Sequence, residues 1–175
     1  MTLSPETRRA VVADYIRDHR EKAARGMRFY ARQRTLSDAV DVAARCVLPS
    51  GKRHNHQRRI PAAALEEARK RLLAVDLSTC RSFDELHAAV DSRIRDIDMI
   101  GALVVYDVSH RIGAFLRLEP ERVHLHRGTR RGALALGLGR GCDAIELDEL
   151  PPEFQRLSAA EAEDCLCIYK ERLGA

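Results

Sequence analysis

Tryptophan is absent from this chain, and with four tyrosines and four phenylalanines the aromatics reach only 5% of 175 residues. The core must therefore come from Leu, Val, Ile and Ala, a palette that favours helices. No run of about 18 apolar residues exists, so no helix is expected to span a bilayer. Cys-x-x-Cys is missing as well. The five cysteines, Cys46, Cys80, Cys142, Cys165 and Cys167, are odd in number and lack framework spacing, which excludes a disulfide scaffold. His54-x-His56, His124-x-His126 and Cys165-x-Cys167 come nearest to metal-ligand pairs, but structural zinc draws on knuckle spacing that none of them has. Residues two apart on a helix also face different ways. No metal and no cofactor are expected, and Cys165 and Cys167 read as small core residues. Met1 to Glu6 lacks a basic segment followed by an apolar one, so the expected location is the cytoplasm, with reduced thiols.

What is present describes an ordinary folded chain, 45% hydrophobic and 32% charged. Its length suits one domain, which can bury about two-thirds of its unfolded surface. The net charge of +4 is unevenly spread. Residues 1–75 hold 17 Lys/Arg against 8 Asp/Glu, and residues 76–175 hold 13 against 18. A basic half suits a polyanionic partner, and equally suits docking on the acidic half.

Helix signals run through the chain. Ser4-Pro5-Glu6 offers a hydroxyl cap, Pro at the first position and an early acid. Val12, Tyr15, Ile16, His19, Ala23, Met27 and Tyr30 then recur at helical spacing to about Gln33. Arg17, Arg20, Arg25, Arg28, Arg32 and Arg34 occupy other faces, so residues 1–34 read as a basic helix at the periphery of the domain. Further helices are expected over Ser37–Val47, from Pro61 to Ala74, from the Ser82-Phe83-Asp84-Glu85 capping box to Ile94, and over Ala102–Leu116. Another starts at Gly128-Thr129, with Thr129 as its cap, and a last one runs from the Ser158–Glu161 capping box to Leu173. Val123–His126 reads as a short extended piece without a sheet. The expected fold is all-α, a single compact domain over residues 1–175 with about seven helices.

Two junctions suggest anion binding. At Ile97-Asp98-Met99-Ile100-Gly101 one helix ends and another begins, and a helix start carries unpaired N–H groups with a partial positive charge. From the Ser82 helix through Ile112, this stretch resembles the helix-hairpin-helix DNA-binding superfamily. In that superfamily an apolar-x-Gly-apolar-Gly turn grips a phosphate without reading bases. Ile97, Ile100 and Gly101 fit the pattern, whereas Met99 stands where its first glycine belongs. The resemblance implies phosphate contacts by Met99, Ile100 and Gly101. Many such hairpins belong to DNA glycosylases, which implies a role in repair, but Leu103 occupies the position of the lyase lysine and excludes Schiff-base chemistry. The second junction, Gly128-Thr129-Arg130-Arg131, places a helix start, a hydroxyl and two guanidiniums together.

The leading expectation is sequence-independent binding of nucleic acid, DNA first, through these junctions and the cations Lys52, Arg53, Arg58 and Arg59 of the polar loop. An enzyme alternative, glycosylase-like or nucleotide-processing, centres on Asp107 and His110, three apart on one helix and able to form an oriented general base. A third alternative is a protein-interaction module with basic and acidic faces, or a homo-oligomer. Residues 143–164, with eight acids and only Arg156 as a base, would carry the acidic contact.

Overall fold

The computed structural model describes residues 4–174. These form two compact units, one of residues 4–23 with 120–174, the other of Ala24–Glu119. We call them the terminal and central units. Both are dominated by helix, and the described strands amount to one two-stranded sheet.

The terminal unit begins with α1 (Pro5–Asp18), capped by Ser4, whose Oγ accepts the Thr7 N–H at 3.2 Å. At His19 the backbone leaves helical geometry, and α2 (Arg20–Ala31) starts beyond it, so the single basic helix expected to Gln33 is two. The His19 ring stacks on Tyr15 and meets Tyr169 edge-on. Nor is α1 peripheral. Val11, Val12 and Tyr15 are buried with Val123, Ile145, Phe154 and Leu166 in this unit's core.

The expected isolated extended piece is instead β1 (Arg122–His124), which pairs antiparallel with β2 (Ala144–Glu146). Gly137, Gly139 and Gly141 take positive φ in the connection and let the chain return. Between the strands lies α7 (Arg127–Ala135). It packs on α8 (Ala159–Ile168), which the reciprocal Ser158–Glu161 capping box starts as expected. Tyr169 separates α8 from the single turn α9 (Lys170–Leu173).

Glycines set the α7–α8 approach. A Cβ on Gly128 would run into Cys167 Sγ, and one on Gly132 into the Leu166 carbonyl. One turn apart, they let the two backbones come together.

In the central unit, α3 (Leu36–Ala44), α4 (Ala62–Leu73), α5 (Phe83–Ile94) and α6 (Ala102–Leu116) bury Val40, Leu65, Leu72, Leu86, Val90, Ile94, Val105, Val108 and Ile112 together. α6 packs on α3 and α5. Ser82 caps α5 through the Glu85 N–H at 3.2 Å, while Glu85 itself accepts from the Arg81 N–H at 2.7 Å. The polar loop is folded: Val47 and Arg53 form a β-bridge around Gly51, whose φ is +76°.

Candidate functional site

The apolar spacing that makes α6 also places Asp107 and Arg111 one turn apart. Arg111 is 4% exposed, a buried charge that folding alone does not call for. Its Nη2 donates to Gln57 Oε1 at 3.1 Å and lies 3.4 Å from Asp107 Oδ2. Gln57, itself buried, donates to the same Asp107 oxygen at 2.6 Å. His56 Nε2 donates to it at 2.8 Å. One carboxylate oxygen thus gathers three donors, two from the loop and one from its own helix.

Behind this cluster, Arg111 lies over the Tyr30 ring at 5.7 Å. Burial works against the guanidinium's charge, but Asp107, Tyr30 and Cys46 together more than offset it, so its affinity for the proton rises. The Tyr30 hydroxyl donates to the Val47 carbonyl at 2.8 Å and lies 2.9 Å from His54 Nε2. Burial pushes Tyr30 up to about 12 and, aided by the Arg111 charge, holds His54 down at about 4. Cys46 sits in this wall with φ +58°, fully buried, its thiol pushed up by burial. The chemistry presented outward is one half-exposed imidazole on a fixed carboxylate.

The Asp107–His110 pairing is not the one formed. His110 lies against Tyr106 and Phe83, with ring centroids 5.7 and 6.3 Å away, and burial holds it at about 4. Asp107 turns to His56 because the loop brings two donors to it, whereas residues three apart only share a helix flank. His56, Gln57 and Arg111 were missed for that reason. The one local sign was Arg111 standing one turn after Asp107 on a largely apolar helix.

The 97–101 turn joins α5 to α6. Ile100 N–H bonds to Ile97 O at 3.0 Å, and Met99 takes φ +66°, the conformation a glycine would hold with less strain. Met99 is 54% exposed, and Ile100 anchors the turn in the core. Gly101 is extended, with open space at its missing Cβ, and caps α6 without a side chain. The Gly101, Ala102 and Leu103 N–H groups have no partner among the described residues. Asp96 and Asp98 stand exposed nearby, Asp96 on Arg71 at 2.7 Å.

Lys52, Arg58 and Arg59 are exposed with no ion-pair partner among the described residues, while Arg53 donates to the Ile60 carbonyl at 2.8 Å. Residues 24–61 carry nine Lys/Arg against two acids, and Arg25, Arg32 and Arg34 are exposed there too.

The 128–131 junction is differently built from its expected form. His126 is the cap position of α7, and Thr129 lies inside the helix, fully buried. Its hydroxyl donates to Glu163 Oε1 at 2.6 Å, with His126 Nε2 bonded to the same oxygen. A carboxylate therefore fills the place an anion would need. Arg130 ties down the Gly139, Cys142 and Leu125 carbonyls, and Arg131 pairs with Glu171. Gly128 serves packing.

The acidic stretch is likewise occupied from within its own unit. Glu153 pairs with Arg8 at 3.0 Å and Glu161 with Arg20 at 2.6 Å. No helix among the described residues is long and apolar enough to cross a membrane, and no cluster of three or more His, Cys, Asp or Glu could hold a metal. No protein-family model, curated protein or solved structure matches the chain.

Proposed function

We propose that the central unit binds nucleic acid through the sugar-phosphate backbone, without reading bases. The observation that carries this reading is the presence of nine Lys/Arg against two acids in residues 24–61, with Lys52, Arg58 and Arg59 exposed and without an ion-pair partner among the described residues. Exposed cations free of internal acids are the groups that can replace counterions on a polyphosphate. The bare N–H groups at the start of α6 add a backbone contact of the kind phosphates accept. Contacts of both sorts position a strand and carry no sequence information.

The test is anisotropy with labelled duplex DNA and single-stranded RNA across salt. With about four phosphate contacts, affinity falls roughly a hundredfold between 50 and 200 mM salt. The triple variant Lys52→Ala/Arg58→Ala/Arg59→Ala lowers the salt slope by about 2.7 on a duplex. An affinity that hardly moves with salt removes the reading.

A further inference from the structure

The His56–Asp107 pair is built more elaborately than the fold requires. Gln57, 1% exposed, and Arg111, 4% exposed, are both committed to one carboxylate oxygen. Arg111 Nη1 makes no hydrogen bond to oxygen or nitrogen, although it is buried. An apolar pair of similar volume would serve the core at least as well. What the network achieves is a fixed carboxylate aimed at a ring whose side chain is 50% exposed. Because His56 Nε2–H donates to Asp107, the lone pair sits on Nδ1, which has no partner among the described residues. The other ring near it, His54, is held by the Tyr30 hydroxyl and does not compete. Arg58 and Arg59 stand two and three residues after His56 in the same loop, exposed and without an ion-pair partner among the described residues.

We propose that His56 is a catalytic general base that cleaves RNA, with Asp107 as its positioning residue. This rests on the nucleic-acid reading above, since the neighbouring cations must hold the strand. His56 Nδ1 takes the proton of a ribose 2′-hydroxyl. The O2′–P bond forms and the P–O5′ bond breaks, and the departing 5′ oxygen takes a proton from water. The products are a 2′,3′-cyclic phosphate and a 5′-hydroxyl end; His56 then returns its proton to solvent. No water, oxidant or other reactant is consumed. RNA is the substrate class because its nucleophile is already attached beside the phosphorus. Such intramolecular placement is worth effective concentrations of about 10⁵ M or more, so no separate nucleophile has to be bound. DNA lacks that hydroxyl and binds without reacting.

The experiment incubates the full chain with end-labelled single-stranded RNA, and with DNA of the same sequence, in the presence of a chelator. Binding is measured on the same samples. The wild type is expected to cut RNA to 2′,3′-cyclic ends and to leave DNA intact. His56→Ala, at an exposed position that keeps its fold, loses roughly 10² to 10⁴ in rate and keeps its salt slope. Asp107→Asn lowers kcat with KM little changed. RNA that is bound but never cut overturns this proposal and leaves the binding reading standing. So does equal cutting by His56→Ala prepared in parallel. Absence of both binding and cutting removes both.

Discussion

The two units handle polar groups in opposite ways. In the terminal unit the buried polar network faces inward: Thr129, His126 and Glu163 are sealed together in the core, while Arg8 meets Glu153 and Arg20 meets Glu161. Its net charge is −1, from 13 Lys/Arg and 14 Asp/Glu, against +5 in the central unit, from 17 and 12. In the central unit a buried network, Arg111–Gln57–Asp107, ends on a half-exposed imidazole beside unpaired cations. Buried polar networks therefore do not mark a site by themselves. An inward network serves the fold; one that ends at the surface has chemistry to offer.

The largest test of this contrast removes the acid of the open network. Asp107→Ala leaves Arg111 buried without its carboxylate and costs about 3 kcal/mol in urea unfolding. The double variant Asp107→Leu/Arg111→Met recovers most of that loss if the charges are there for function. The closed unit should instead be most sensitive to shape. Gly132→Ala drives a methyl into the Leu166 carbonyl and costs about 2 kcal/mol, after its gain in helix propensity, read as a lower Tm.

Acid separates the units next. His54, His87 and His110 are all held below their ordinary range by burial, and all belong to the central unit. Each is neutral when folded and takes a proton more readily when unfolded. For His54 and His110 the contribution is thus complete above about pH 6.5 and is lost as pH falls toward about 4, at on the order of 1.4 kcal/mol per pH unit for each at most, and His87 acts in the same direction. Hydrogen exchange should show amides of residues 24–119 losing protection first, and His110→Phe should flatten the decline.

A smaller effect lies at the turn. Met99→Gly relieves the left-handed strain and raises stability by about 1 kcal/mol or less, since glycine loses more entropy on folding. A rise in Tm with unchanged or tighter nucleic-acid binding fits; a fall would show that Met99 contributes through its side chain. The smallest effect is expected from Arg131→Ala. Its ion pair with Glu171 leaves both side chains 64% exposed, so neither Tm nor nucleic-acid affinity should change measurably.

Much of the helical framework was legible. α6 spans Ala102–Leu116 as its apolar spacing requires, and Ser82 and Ser158 cap the helices they were expected to start. These features depend on groups within about four residues of one another. The break at His19 was not legible, because the rings that hold it include Tyr169, 150 positions away. Nor was the β1–β2 pair, whose partner strand lies about twenty residues further on beyond a helix. At Thr129 a hydroxyl does lie in the first turn of a helix, but Glu163 on α8 captured it. Asp107 could be picked out as a polar residue on an apolar helix. Its partners could not, since His56 and Gln57 reach it across 51 and 50 residues of chain.

The sequence by itself determined the starts of α1, α5 and α8, the core palette without tryptophan and the basic bias of residues 24–61. Local hydrogen bonds and side-chain periodicity decide these, and both are written in neighbouring residues. Tertiary structure alone decided which polar groups face inward and which remain open. It buried Arg111 against Tyr30, turned Asp107 from His110 to His56, and closed Thr129 on Glu163. Such pairings are set by which helices pack and how closely, and that follows from the burial of whole apolar faces.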